Sequence, residues 1–403
     1  MTTTTRAVLR DRDAALYLTG VVVSGFGTSA LWLVSGVWVK DLTGSDGLAA
    51  LCVLAMWAPT LAGPLLGALA DRFPRRPLLI ASSLFLAALL PVLLAVDSPG
   101  LVWLVLGVLL VYGATGVVND AAEAALVANT LPASLLGDFN GLRMAITEGM
   151  KLVSPLVGAG LYTVYGGPAV VLLDAATFVV AAGVYAGLRG GSSGSRRSIP
   201  VRATEVERPA PFAGARHLWA HPRLRPLVLA GGFSMLCAGL NGALIYAVID
   251  GLGHSPSYAG VLYAVQGAGS VSVGLLSGRA LRWLGERRFA VWGIGVTAVA
   301  VALRAVPSDG VALLSSAAIG AGLPCVLIAA LTAVQRETPD AVLGRTVATA
   351  NTLVYAPNVI GLGVGAGLVE LVGHRPVLVV LGVTWLTVGP LLLRGRGDER
   401  PTR

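Results

Sequence analysis

Val157-Gly158-Ala159-Gly160-Leu161 recurs as Val364-Gly365-Ala366-Gly367-Leu368, 207 residues further along the chain. The same shift sets Gly25-Phe26 on Gly232-Phe233, Gly67 on Gly274, Arg72 on Arg279 and Gly137 on Gly344. One constant offset at five separated places marks a duplicated chain. Around these points lie twelve apolar runs, each long enough to cross a bilayer core. They fall at roughly 14–39, 47–70, 78–96, 100–127, 139–165, 168–188, 223–249, 256–281, 288–306, 309–335, 341–371 and 375–394. Six runs belong to each copy, and an even number gives both copies the same orientation. The expectation is an all-α membrane protein: twelve transmembrane helices in two pseudo-symmetric six-helix bundles.

Composition excludes the alternatives. The 403 residues are 55% hydrophobic and 12% charged, with a mean hydropathy of +0.78. A soluble domain carries about 25% charged residues, so half that fraction cannot clothe a water-facing surface of this size. Disorder, coiled coil and an ordinary soluble enzyme are set aside. Cys52, Cys237 and Cys325 are odd in number and each lies in an apolar run, so they form no disulfide framework. Net charge is +8. The arginines sit between apolar runs rather than in a foldable basic patch, which argues against nucleic acid.

Cation placement sets the orientation. Twenty-four of the 29 Lys and Arg residues fall in the two tails and the alternate connections, against Lys40, Arg304 and Arg375 on the other side. The positive-inside rule then puts both termini in the cytoplasm of a multi-pass protein of the cell membrane. The first run follows Arg6, Arg10 and Arg12 but is too long for a cleaved signal and has no small-residue cleavage site before Lys40. It reads as a retained span. The segment 189–222 is rich in Gly, Ser, Pro and Arg and reads as a cytoplasmic linker between bundles at 1–188 and 223–403. Its end, near 212–220, is either plain loop or a short amphipathic surface helix carrying Arg216 and Trp219.

The loop after the second run reads Gly67-Ala-Leu-Ala-Asp71-Arg72-Phe-Pro-Arg75-Arg76. Gly67 admits close helix approach, Asp71 can cap a helix N-terminus, and the arginines hold the loop to one membrane face. The copy Gly274-Leu-Leu-Ser-Gly278-Arg279 lacks the acid. In this place the segment resembles the signature G-x-L-x-D-R-x-x-R-[RK] of the major facilitator superfamily. Leu173-Asp174-Ala-Ala-Thr-Phe178, His221-Pro-Arg-Leu-Arg and Gln335-Arg-Glu-Thr-Pro339 through Gly344-Arg345 are similar to its macrolide-efflux-like drug exporter branch. Ser154-Pro155-Leu-Val-Gly158-Ala159 resembles a worn form of the antiporter signature G-P-x-x-G-G, with two of six positions changed. The resemblance covers nearly all of 14–394. It implies the major facilitator fold, transport by alternating access, and gating or structural roles for Gly67, Asp71, Arg72, Arg75, Arg76, Pro155, Gly158, Arg279, Gly344 and Arg345.

Charges inside spans are expensive and mark functional candidates. They are Asp120 and Glu123, then Arg143, Glu148 and Lys151, then Asp174. Their partners in the second copy are Leu327, Ala330, Ala350, Tyr355, Asn358 and Leu381, so the architecture does not demand them. At about 1.5 Å per residue Glu123 and Arg143 come level near the inner edge, and Asp120 levels with Glu148. Glu123–Arg143 reads as a structural or gating pair, and Asp174 as structural rather than proton-carrying. Glu148, Asp120 and Lys151 are the proton-coupling candidates, with Glu148 alternating between a proton and Lys151.

Trp32, Tyr112, Asn119, Asn241, Tyr263, Gln266, Asn351, Tyr355 and Asn358 are the polar and aromatic residues of runs that could line a substrate cavity, with helix packing as the alternative for each. The GxxxG pairs Gly361–Gly365 and Gly363–Gly367 read as helix contacts. His217, His221, His254 and His374 show no ligand spacing, and no phosphate-binding loop is present, so neither metal, cofactor nor ATP is expected. The expected function is proton-coupled export of a hydrophobic or amphiphilic small molecule, with lipid flipping or uptake symport as rivals and a membrane enzyme set aside. Expected partners are a small-molecule substrate, protons and membrane lipids; the chain is expected as a monomer.

Overall fold

The computed structural model describes residues 10–63, 65–66, 72–130, 133–188 and 213–394, and within them the chain is helical with no strand. Gly67, Asp71 and most of the linker lie outside these residues, as do the side chains of Glu148, Lys151 and Arg345.

Helix α1 (Arg12–Thr43) opens on Asp11, whose carboxylate accepts from the Ala14 N–H at 2.9 Å. It stops at Gly44, which adopts the left-handed φ of 71° that a side chain would disfavour. Lys40 is buried at this corner. Its ammonium donates to the Gly44 carbonyl and pairs with Asp46 at 2.8 Å, fixing the turn into α2 (Asp46–Trp57). A 3₁₀ stretch over Ala58–Ala62 extends α2, and α3 (Arg75–Leu89) is extended likewise over Leu90–Ala95. Then come α4 (Val102–Thr130) and a continuous helical segment Ala133–Gly187 broken at Gly166, giving α5 (133–165) and α6 (167–187).

The short helix α7 (Ala213–Ala220) forms where the linker ends, so the helical alternative for that stretch is the one adopted. Leu218 is buried there while Trp219 is exposed with Arg225 above its ring. Next are α8 (Leu224–Ala243) and α9 (Ile245–Leu252), then Ala259–Leu303, which breaks at Gly285 into α10 (259–284) and α11 (286–303). The chain closes with α12 (Asp309–Glu337), α13 (Asp340–Val372), α14 (His374–Leu386) and α15 (Val388–Arg394). Each of the twelve apolar runs is thus helical over most of its described residues. Among the described residues nine helices are long and apolar enough to cross a membrane, a number compatible with twelve spans.

The chain forms two compact units: residues 1–202 with 256–264, and residues 203–255 with 265–403. The duplication is visible in their local structure. Gly166 (φ 74°, ψ −175°) and Gly373 (φ 77°, ψ 161°), 207 residues apart, make the same left-handed corner. Gly158 packs on Ala30 of α1, and its counterpart Gly365 packs on Leu240 and Ala243 of α8. The repeated Val-Gly-Ala-Gly-Leu therefore serves as a helix contact in each unit. Gly361 also meets α8, whereas Gly367 faces open space, so the second GxxxG pair is not a close contact at that end.

Large apolar side chains cover the outer faces, among them Trp103, Leu275, Trp283 and Leu314. Lipid rather than water suits such a surface. The cores are tight: a Cβ on Gly320 of α12 would fall on the Gln266 carbonyl oxygen of α10. Gly320→Ala is expected to lose about 1–3 kcal/mol through overpacking. Gly295→Ala on α11, where a Cβ meets nothing within 4 Å, should be neutral or stabilising by up to about 1 kcal/mol. Thermal unfolding of the two variants in detergent checks the contrast, and equal midpoints would contradict it.

Candidate functional site

The first unit contains two polar layers. The inner one centres on Glu123 of α4, one turn from the end of the apolar run. Tyr17 of α1 donates its hydroxyl to Glu123 Oε2 at 2.6 Å, and Tyr185 of α6 donates to Oε1. Arg143 of α5 lies 3.5 Å from Oε2. The expected neighbours Glu123 and Arg143 are together, and two tyrosines hold the carboxylate more closely than the arginine does. One acid so ties four helices. Asp120 is exposed one turn away, near enough to feel the charges of Glu123 and Arg143.

The outer layer centres on Asp174 of α6, which is 0% exposed. Tyr112 of α4 donates to Asp174 Oδ2 at 3.0 Å, and Thr177 Oγ1 lies 3.1 Å from Oδ1. Thr28 of α1 meets the Tyr112 hydroxyl at 2.8 Å. Gly27 gives α1 its approach, since a Cβ there would collide with Asp174 Oδ1. Phe178 packs edge-on against Tyr112, ring centroids 5.6 Å apart. Asp174, Thr177 and Phe178 of the segment Leu173–Phe178 thus meet in one cluster around Tyr112.

The two layers use the same three helices at one spacing. Tyr17 and Thr28, Tyr112 and Glu123, and Asp174 and Tyr185 are each eleven residues apart. Eleven residues make three turns plus about 20°, so each pair shares a helix face about 16 Å apart. Tyr17, Tyr185, Thr28 and Thr177 are the functional candidates that sequence reasoning missed. The recurring interval of eleven between polar residues of apolar runs was the available signal.

Charged groups of the quoted motifs also find partners. Arg76 donates through Nε to the Tyr185 carbonyl at 2.9 Å and through Nη2 to the Ala186 carbonyl. A cation on the free carbonyls of a helix end stabilises that end, so this arginine caps α6. Arg72 and Arg279 are exposed and Arg75 is half-buried. In the second unit Glu337 brings two motif segments together, lying 3.4 Å from His221 and 3.9 Å from Arg223. Arg336 pairs with Glu286 at 2.5 Å. Pro155 and Gly158 are buried in α5.

The nine cavity candidates divide. Tyr112 is committed to Asp174, Asn119 accepts from Ser82 of α3 at 2.5 Å, and Asn358 donates to the Met235 carbonyl of α8 at 3.0 Å. Asn241 is buried and accepts from Arg304 at 3.1 Å, while Ser316 takes the other arm of that arginine at 2.7 Å. Arg304, read from sequence as an outer-loop cation, is 3% exposed. Asn351 and Tyr355 are exposed, and Gln266 is half-buried. Trp32 and Tyr263, both counted in the first unit, form an edge-to-face pair with centroids 4.9 Å apart. The Trp32 ring N–H is buried without a hydrogen-bond partner among the described residues.

A duplicated set of helices, nine of them among the described residues long and apolar enough to cross a membrane, defines a multi-pass integral membrane protein. The family model described as Major Facilitator Superfamily matches residues 17–362 and 227–403, and the chain belongs to that superfamily. It is 27% identical over 358 residues to uncharacterized MFS-type transporters of Mycobacterium bovis and Mycobacterium tuberculosis, covering 80% of this chain and 76% of theirs. It is similar in fold to a bacterial homolog of the human lysosomal transporter Spinster, captured inward-facing and unoccupied. The TM-score there is 0.70 at 16% identity, over 99% of this chain and 100% of that one. The nucleoside transporter NupG is similar at TM-score 0.69 and 15% identity, over 94% and 100% of the two chains. Membership of a transporter family sets aside the membrane-enzyme reading.

Proposed function

We propose that the protein is a proton-driven exporter of a hydrophobic or amphiphilic small molecule, a drug or natural product, of the macrolide-efflux-like branch. It works by alternating access as a monomer in the cell membrane, with both termini cytoplasmic and 189–222 linking two six-helix bundles. The observation that carries the reading is the asymmetry of acids. Asp120, Glu123 and Asp174 stand in apolar helices of the first unit, where Leu327, Ala330 and Leu381 serve the second. Intramembrane acids that the fold does not require are what proton coupling needs. Val, Leu, Ala and Gly dominate the helices around them, which favours an apolar substrate.

The roles follow from position. Glu148, with Asp120 and Lys151, exchanges a proton for each transport cycle. Trp32, Tyr263, Gln266, Asn351 and Tyr355 are the candidates for substrate contact. Asp71, Arg72, Arg75 and Arg76 with Gly67 latch one membrane face, and Arg279, Gly344 and Arg345 are their weaker equivalents. Inverted vesicles test the direction and the coupling together. A macrolide or an amphiphilic dye added to vesicles with an acid interior should collapse the pH gradient, and vesicles lacking the protein should not respond. A gradient that only uptake from the opposite side collapses would favour symport. Fluorescent-lipid translocation without any pH response would favour a flippase.

A further inference from the structure

The Asp174 layer contains one more hydrogen-bond contact than its hydroxyls can supply with protons. Thr28 Oγ1 meets Tyr112 Oη at 2.8 Å, and Tyr112 Oη meets Asp174 Oδ2 at 3.0 Å. Thr177 Oγ1 meets the Asp174 backbone carbonyl at 2.7 Å and Asp174 Oδ1 at 3.1 Å. These are four contacts. Thr28, Tyr112 and Thr177 bring one proton each. Tyr112 gives its proton to Oδ2, Thr28 gives its own to Tyr112, and Thr177 gives its own to the backbone carbonyl. Oδ1 and Thr177 Oγ1 then face each other with no hydroxyl proton left between them.

The Glu123 layer shows the contrast. There two tyrosine hydroxyls and a guanidinium all bring protons to the carboxylate, so each contact has its own donor. Around Asp174, the titratable group facing it from α4 is Tyr112. Gly27 and Thr28 face it from α1, and Thr177 from its own helix; no charged side chain does so among the described residues. An ionised carboxyl in such a place would be a buried charge without a counter-ion.

We infer that Asp174 is a proton-binding site, a neutral carboxylic acid whose Oδ1–H donates to Thr177, filled and emptied along the chain Thr28–Tyr112–Asp174. When ionised Asp174 is loaded, Oδ2 takes the Tyr112 proton, Tyr112 takes the Thr28 proton, and Thr28 takes one from a hydronium ion, which leaves as water. Rotation of the carboxyl and of the two hydroxyls then turns the new O–H toward Thr177 and returns both donors to their starting contacts. One proton moves and both hydroxyls are restored. Thr28 is half-buried while Tyr112 and Asp174 are buried, so the chain runs from the more open residue to the closed one. A role for this proton in transport rests on the proton-coupled reading; its binding does not.

Infrared spectroscopy of the purified full-length protein in liposomes tests it without any substrate. At neutral pH the wild type should show the C=O stretch of a protonated carboxyl that Asp174→Asn removes. Tyr112→Phe should keep that band and shift it to higher frequency, because Oδ2 loses its donor. It should also slow exchange of the carboxyl proton for deuterium, because the link to Thr28 is cut. A protonated-carboxyl region unchanged in Asp174→Asn would overturn the site. Exchange in Tyr112→Phe as fast as in the wild type would overturn the route. Failure of vesicle export with the band present would count against the exporter reading alone.

Discussion

Glu123→Ala is expected to be the most damaging polar substitution in the first unit. The change strips the inner layer of its centre, removing the carboxylate to which the Tyr17 and Tyr185 hydroxyls donate and with which Arg143 pairs. Removing one member of a buried ion pair costs about 3–5 kcal/mol, and the partial exposure of Arg143 argues for the lower end, about 3 kcal/mol. Arg143→Ala should do less harm. Glu123 keeps two hydroxyl donors, so the loss is that of one charged hydrogen bond, about 1.5–3 kcal/mol. The double variant should lose less than the sum, because the first change already removes what the second would break. Unfolding in detergent, followed by tryptophan fluorescence, gives all three values. A Glu123→Ala protein within about 0.5 kcal/mol of the wild type, the range of an ordinary surface change, would show that the layer is not a structural centre.

How much of this was legible depends on whether the information lay along one run or between runs. Apolar length and the 207-residue offset are properties of the chain itself, and they carried the helical architecture and the duplication down to the paired corners at Gly166 and Gly373. Glu123 and Arg143 could be matched because the two helices flanking one connection run antiparallel and rise at a known rate. Asp174 with Tyr112 and Thr28 could not, because α1, α4 and α6 are separated by other spans, and the eleven-residue interval marks a face within each run without saying which faces meet. Arg304 failed for the same reason. Its partners Asn241 and Ser316 sit on α8 and α12, and without them an arginine at a helix end reads as a loop cation.

The cavity candidates show a second limit. An asparagine in an apolar helix must satisfy its amide, and a neighbouring helix does so as well as a substrate would. Asn119 and Asn358 meet Ser82 and the Met235 carbonyl, while Asn351 stands exposed. All three are asparagines of apolar runs. Only the neighbour differs, and that is set by tertiary packing.

Glu148→Gln should abolish concentrative transport while sparing exchange. Glu148 lies on α5, five residues after Arg143, and its counterpart in the second copy is the uncharged Tyr355. An amide of the same shape cannot take up and release a proton, so the cycle loses its drive but not its conformational path. A proton moving down 100 mV is worth about 2.3 kcal/mol. At about 1.4 kcal/mol per factor of ten, one proton per neutral substrate sustains a roughly fortyfold concentration ratio. In vesicles energised to that potential, the Glu148→Gln protein should bring the ratio to about one, yet still exchange labelled for unlabelled macrolide at zero gradient. Asp120→Asn provides the comparison. Asp120 is exposed and close to Glu123 and Arg143. If it only tunes the inner layer, its loss should change the rate and leave the final ratio near the wild-type value. A Glu148→Gln protein that still concentrates its substrate would take Glu148 out of the coupling step. A ratio that collapses with Asp120→Asn alone would move that step to α4.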